Sequence, residues 1–145
     1  MHIGFTGSQG GMTGAQKKVV QKLFESLTLK YPEEGIYLHH GDCVGADTEA
    51  HEMARAVGFL IFGHPPSNDS KRAFCEFDEV EEPYDYLYRN TRIVKSCEIL
   101  IAAPKEYSER VRSGTWSTIR RGRKYKKKVL VVLPDGSVHK DGMLI

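Results

Sequence analysis

The chain has 145 residues, of which 40% are hydrophobic, 28% charged and 10% aromatic, with a formal net charge of +2. A chain of this length buries roughly 68–70% of its unfolded surface, enough for one core and too little for two ordinary domains, so residues 1–145 are expected to form a single domain. No apolar run approaches the ~18 residues of a membrane span, the composition excludes a disordered or fibrous chain, and the near-neutral charge by itself implies no nucleic-acid partner.

The first residues, Met1 to Gly7, lack a basic stretch followed by an apolar one, so no secretory signal is expected. Cys43, Cys75 and Cys97 are an odd set without a C-x-x-C pair. Neither a disulfide framework nor a structural zinc site is expected, and the chain reads as cytoplasmic.

Strands and helices alternate. His2 to Thr6 reads as a first strand, and Gly7 to Gly14 as a tight loop. A helix is expected over Ala15 to Leu29, with Thr13 and Gln16 at capping-box spacing and Val19, Val20, Leu23, Phe24 and Leu27 on one face. Ile36 to His39 reads as the second strand. A glycine loop follows, then a helix from about Thr48 to Val57 with Asp47 as N-cap and Ala50, Met53, Ala54 and Val57 inward. Phe59 to His64 is a third strand, stopped by Pro65-Pro66. Ser67 to Glu82 is a polar, acidic excursion. Tyr84 to Lys95 reads as helix with Leu87, Ile93 and Val94 inward, and Glu98 to Ala102 as a buried strand ended by Ala103-Pro104. Ser113 to Tyr125 is the last long helix, Val129 to Leu133 the last strong strand, and Pro134 to Ser137 a turn.

Four strands are continuous apolar runs separated by helices. This predicts an α/β, Rossmann-like three-layer sandwich with a mostly parallel sheet of five or more strands and helices on both faces. In such sheets ligands bind outside the C-terminal strand ends, and the glycine loops fall there.

The first loop, with Gly7, Ser8, Gln9, Gly10, Gly11 and Gly14, lets backbone amides approach a ligand and feeds a helix N-terminus that favours an anion. It is neither a Walker A loop nor G-x-G-x-x-G. A turn without ligand is its plainer reading. In the second loop, Gly41, Asp42, Gly45 and Asp47 accompany His40, Cys43 and His51. The spacing fits no standard zinc pattern, so no metal is expected. Asp42 reads equally as an acceptor for a ribose hydroxyl and as a brace for the turn. Arg89-Asn90 reads equally as a phosphate-pairing arginine and as a solvated helix face. Arg112, Ser113, Gly114 and Thr115 open the last helix as an anion cradle. Trp116 reads as a base-stacking or a core residue. Residues 120–128 hold seven cations in nine positions, suited to a nucleic-acid backbone or to the C-terminal end of a helix. Glu79, Glu81 and Glu82 can reach a site from their loop.

These loops together resemble the SLOG superfamily, the Rossmann-like fold shared by Lonely Guy phosphoribohydrolases and the DNA-processing protein A family. The resemblance spans nearly the whole chain. Gly4-Phe5-Thr6-Gly7-Ser8 resembles the first strand and its loop, and Gly41 to Asp47 with Ala50-His51 resembles the G-x-x-x-G-x-D…A-H segment. Arg89-Asn90 with Ile93 resembles the R-N-R-I-I segment of DNA-processing protein A. Ser113-Gly114-Thr115 is similar to its S-G-S and to the Lonely Guy G-G-x-G-T.

The resemblance implies a nucleotide-type or NAD-derived ligand in a pocket lined by the first and last loops. Gly7, Ser8, Gln9, Gly41, Asp42, Gly45, Asp47, Arg89, Asn90, Pro104, Arg112, Ser113, Gly114, Thr115, Trp116 and Thr118 are its expected binding residues. A homo-oligomer is expected, and no cofactor. Lonely Guy enzymes carry a glutamate three residues after the motif threonine, where this chain has Thr118. Binding of a nucleotide or ADP-ribose-type ligand as a sensor or sequestering protein is therefore the first expectation. Hydrolysis of a nucleoside 5′-monophosphate at its glycosidic bond, with Asp42 or a glutamate of the 67–82 excursion in place of the missing one, is the second. Single-stranded nucleic-acid binding through Arg120–Lys128 is the third.

Overall fold

A computed structural model describes residues 1–141. Strand β1 (His2–Gly7) leads through a loop to helix α1 (Gly14–Lys30), and β2 (Tyr37–His40) to α2 (Ala46–Ala56). Strand β3 (Leu60–Gly63) is followed by a two-residue strand, β4 (Glu79–Val80), inside the expected irregular excursion. Then come α3 (Tyr86–Ser96), β5 (Ile99–Ala103), α4 (Gly114–Lys124), β6 (Lys128–Val132) and β7 (Val138–Asp141). The strands form one seven-stranded sheet in the order β4-β3-β2-β1-β5-β6-β7. Every pairing is parallel except β6 with β7.

The order reverses at β1: β2 lies on one side of it and β5 on the other. The crevice above the C-terminal ends of β1 and β5 is therefore the topological switch point where this class of sheet binds ligands. Helices α1 and α2 cover one face, where Val20, Phe24, Ala50 and Ala54 pack on Ile3, Phe5, Leu38, Ile61 and Ile101. Helices α3 and α4 cover the other, where Ile93, Val94, Trp116 and Ile119 meet Leu100, Ala102, Val129 and Val131. Strand β5 is buried along its whole length because both layers press on it. No helix among the described residues is long and apolar enough to cross a membrane.

Helix α1 begins as expected: the Thr13 side chain accepts from the Gln16 amide and the Gln16 side chain accepts from the Thr13 amide. Helix α2 corrects the expectation. Its N-cap is Gly45, with no side-chain cap, and Asp47 lies inside the first turn. Helix α3 corrects another. Its buried residues are Arg89, Asn90, Ile93 and Val94, whereas Leu87 is 61% exposed.

On the α3 side of the sheet, a row of imidazoles runs across β1 and β2 to the end of β3. His2 Nδ1 lies 2.7 Å from His39 Nε2, and His39 Nδ1 lies 2.7 Å from His64 Nε2. His64 Nδ1 meets the Glu81 carboxylate, whose other oxygen accepts from Arg92 Nε at 2.9 Å. His39 and His64 are buried. Desolvation lowers the His39 pKa to about 3. It also lowers that of His64, outweighing the Glu81 carboxylate that pulls the other way. Glu81 thus ties the edge of the sheet down.

Candidate functional site

A cavity of about 560 Å³ opens above β1 and β5. Its walls are the loop after β1, the first turns of α3 and α4, and the segment joining β5 to α4. Thr6, Gly7, Ser8 and Gln9 form one side, and Ser113, Gly114 and Thr115 the opposite one. Cys43, Asp47, Arg89 and Asn90 form the floor with Tyr86 beside them, and Lys105, Glu106, Arg110 and Arg112 the rim.

The loop after β1 is braced from below. Ser8 O accepts from both the Gly11 and the Ala46 amides, at 3.0 and 2.9 Å. Glu49 Oε1 accepts from the Met12 amide at 2.7 Å. Gly45 has φ +90°, and a Cβ there would overlap the Gln9 carbonyl. Gly45 therefore serves the site from behind, by letting the second loop lie backbone-on-backbone under the first.

The floor is polar and buried. Asp47 Oδ2 accepts from the amides of Gly41 and Cys43, each at 3.2 Å, which folds the second loop back onto α2. Burial pushes the Asp47 carboxyl up to about 6, although nearby Arg89 and the two amides favour its charged form. Arg89 Nη1 donates to Gly41 O at 2.6 Å and to His64 O at 3.3 Å, and its Nε donates to Asn90 Oδ1 at 2.8 Å. A Cβ on Gly41 would occupy the space of this guanidinium. Arg89 is thus no solvated helix residue. It ties the ends of β2 and β3 together beneath the cavity, and it lines that cavity as well.

The wall at α4 offers donors. Ser113 caps the helix, its Oγ accepting from the Trp116 amide at 3.1 Å. The Gly114 and Thr115 amides lie in the first turn, where no intrahelical acceptor exists. The space beside Gly114 is open. Lys105, Arg110 and Arg112 stand at the rim, and none is in an ion pair among the described residues. Arg120 Nη1 donates to Arg110 O and Arg120 Nη2 to Val111 O, both at 3.2 Å, so the first cation of the basic run holds the rim in place. Amides at a helix start with three nearby cations make an electropositive wall for an anion.

Other expected binding residues lie outside the cavity. Asp42 is fully buried with φ +57°, accepts from Arg72 Nε at 2.8 Å and from the Cys75 amide at 2.9 Å, and braces the turn. Gly41 and Gly45 act from below, as described. Pro104 is buried and its carbonyl accepts from Gln16 Nε2 at 2.8 Å. Trp116 packs in the α4 core, its Nε1 donating to Glu106 Oε1 at 3.1 Å. Thr118 is buried and donates back to Gly114 O at 2.9 Å. Glu79, Glu81 and Glu82 do not line the cavity. Sequence reading missed Thr6, Cys43, Tyr86, Lys105, Glu106 and Arg110 as lining. Lys105, Glu106 and Arg110 follow β5, and the strand-end rule that located the glycine loops covers that segment too.

His40, His51 and Cys75 bring ligand atoms within 4.8 Å of one another. The donor chemistry does not suit a metal. The Asp42 amide donates to His40 Nδ1 at 3.0 Å, which puts the hydrogen of a neutral ring on Nε2 and turns it toward His51 as a donor, at 2.9 Å. Burial and Asp42 push the Cys75 thiol up to about 12, away from the thiolate a metal requires.

No protein-family model and no curated protein sequence matches the chain. Solved structures do. The molybdenum cofactor binding protein of Rippkaea orientalis superimposes with a TM-score of 0.69 at 24% identity, over 91% of this chain and 76% of that one. DNA processing protein A of Streptococcus pneumoniae gives 0.65 at 21% identity, over 90% of this chain and 49% of that one. This chain has the α/β, Rossmann-like fold of these structures. The molybdenum cofactor carrier protein of Chlamydomonas reinhardtii shares this fold, with a TM-score of 0.61 at 21% identity, over 90% of this chain and 74% of that one. The chain spans about half the length of DNA processing protein A and about three quarters of the two cofactor proteins.

Proposed function

We propose that the cavity binds a small phosphorylated heterocycle, a nucleotide or an ADP-ribose-type or cyclic-nucleotide derivative, and holds it without turnover as a sensor or sequestering protein. One observation carries this reading: the free first-turn amides of Gly114 and Thr115 face a cavity rimmed by Lys105, Arg110 and Arg112, at the switch point of the sheet. A phosphate on those amides would place the rest of the ligand over Asp47, Arg89 and Asn90, toward the Ser8–Gln9 loop. A cofactor that joins a pterin to a phosphate monoester offers the same two features, and the neighbours named for molybdenum cofactor make it the second arm of the test.

Glycosidic hydrolysis is less well supported. It needs an acid or base beside the ribose. The lining carboxyls are Asp47 and Glu106, the first held by two amides and the second by the Trp116 indole.

The test joins mass spectrometry of ligand released from the purified protein to thermal-shift titrations with nucleoside monophosphates, ADP-ribose, cyclic dinucleotides and a pterin phosphate. A stabilising shift from one of these, with no free base released, is the expected result. Thr115→Glu sets a carboxylate against the phosphate and is expected to weaken that ligand at least about tenfold, roughly 1.4 kcal/mol. Unchanged affinity in this variant would remove the α4 turn from the site, and release of free base would turn the reading to an enzyme.

A further inference from the structure

The cavity floor is nearly closed off, and two of its polar atoms are left over. Asp47 and Asn90 are each 6% exposed. Asp47 Oδ2 holds the Gly41 and Cys43 amides, whereas Asp47 Oδ1 has no hydrogen-bond partner among the described residues. Asn90 Oδ1 accepts from Arg89 Nε, which fixes the orientation of the amide and leaves its Nδ2 without a partner among them. Every fully enclosed side-chain polar atom among the described residues does have a partner. Asp47 Oδ1 and Asn90 Nδ2 therefore reach open space, and the open space these residues line is the cavity.

The two atoms have opposite needs. Asp47, with its carboxyl at about 6, is ionised above neutral pH and only accepts. Asn90 Nδ2 only donates. Both flank Arg89. Asn90 meets its Nε, and Asp47 holds the amide of Gly41, whose carbonyl takes Arg89 Nη1. A phosphate would set like charge against Asp47, so it belongs on the α4 wall and the floor takes another part of the ligand. A base finds no free ring there to lie on. Tyr86 is the one aromatic side chain lining the cavity, and the Arg89 guanidinium stands over its ring, 5.3 Å from the centre. Neighbouring hydroxyls need no ring. One donates to the carboxylate and the next accepts from the amide.

We propose that Asp47 and Asn90 select a ribose 5-phosphate unit whose 2′- and 3′-hydroxyls are both free, one donating to Asp47 Oδ1 and the other accepting from Asn90 Nδ2. This rests on the phosphate reading of the α4 turn and narrows it. Ribonucleoside 5′-monophosphates and ADP-ribose carry the free pair. Cyclic dinucleotides with 3′,5′ linkages do not, because their 3′ oxygens are esterified.

The experiment is calorimetric titration at about pH 8, where Asp47 is ionised, with AMP, its 2′-deoxy and 3′-deoxy analogues, and ribose 5-phosphate. Each deoxy analogue is expected to bind about 10- to 100-fold more weakly than AMP, because it leaves a buried donor or acceptor unpaired. Ribose 5-phosphate is expected to bind without a base. Asp47→Asn keeps an oxygen for the two amides and turns an NH2 group to the cavity. It is expected to bring AMP and the analogue lacking the Asp47 hydroxyl within about twofold of each other. That analogue's own affinity should stay within about threefold of wild type, whereas a merely structural role for Asp47 would weaken both ligands alike. Should the variant fail to fold, the ligand series on the wild-type protein decides. Equal affinity for AMP and both deoxy analogues overturns this inference and leaves the phosphate reading standing. So does a preference for AMP that Asp47→Asn leaves intact. If neither AMP nor ribose 5-phosphate binds, this inference falls, and the wider thermal-shift series judges the phosphate reading separately.

Discussion

Replacing Arg89 with alanine is expected to destabilise the fold by about 3–5 kcal/mol, a large share of the ~5–15 kcal/mol that holds a domain of this size together. Arg89 is 6% exposed and the partners of its guanidinium are not easily resupplied. Gly41 O and His64 O would lose their donor at the ends of β2 and β3, and the Asn90 side chain would lose its neighbour. Asp47 would lose the cation that now offsets part of its burial, so its carboxyl should rise further above 6. Arg89→Lys keeps a charge but not the planar fork that reaches both carbonyls and Asn90, and it should recover only part of the loss. Denaturant unfolding of Arg89→Ala, Asp47→Asn and the double variant measures the coupling. The double variant should be clearly less damaged than the sum of the singles. A loss under about 1 kcal/mol for Arg89→Ala would mean the strand ends are held by something else.

Acid is expected to destabilise the protein through its buried imidazoles. His39, His40 and His64 are buried, and desolvation lowers all three from the ordinary histidine value, His39 to about 3. Below about pH 6.5 the unfolded chain protonates them while the folded chain does not, so stability falls as pH drops from there toward the folded values. Asp47 acts in the opposite sense. Its folded value of about 6 lies above the unfolded 3.8, so between those two the folded chain holds the extra proton and gains stability on acidification. Near pH 5 His39, with its folded value of about 3, takes up close to one proton on unfolding and Asp47 releases close to one, so these two nearly cancel. His40 and His64, both lowered by burial, set the sign, and stability is expected to fall on acidification below about pH 6.5. Denaturant unfolding followed by circular dichroism at a series of pH values measures that fall. A flat stability profile between pH 7 and 5 would show that the folded chain accommodates charged imidazoles.

What the sequence displayed most openly was whatever depends on neighbours in the chain. Thr13 and Gln16 are three residues apart and form the box their spacing announces. The apolar runs of β1, β3, β5 and β6 became parallel strands because burial on both faces leaves no room for alternation. Strands β4 and β7 were hidden for the opposite reason. Glu79-Val80 and Val138-His139-Lys140-Asp141 are polar edge strands, recognisable only from the neighbour they pair with. The α3 face was misread because apolar residues were assumed to turn inward. That helix abuts strand ends whose carbonyls need donors, so Arg89 goes inside and Leu87 stays out. Asp42 and Asp47 look alike on paper. Only the fold sends one to Arg72 behind the loop and the other to the cavity floor. Ser8, Ser113 and Thr115 were legible because glycine loops and helix starts carry their chemistry in the backbone.

The row of imidazoles across β1 and β2 has a direction. Glu81 can only accept, so the hydrogen on His64 sits at Nδ1 and its Nε2 is a bare lone pair. That lone pair draws the hydrogen of His39 to Nδ1, which in turn leaves His39 Nε2 to accept from His2 Nδ1. One carboxylate at the sheet edge therefore dictates which nitrogen is protonated three rings away. Nitrogen-detected magnetic resonance at neutral pH should find all three rings in the same tautomer, with Nδ1 protonated. Glu81→Gln removes the acceptor-only end, and with it the reason for the rings to agree.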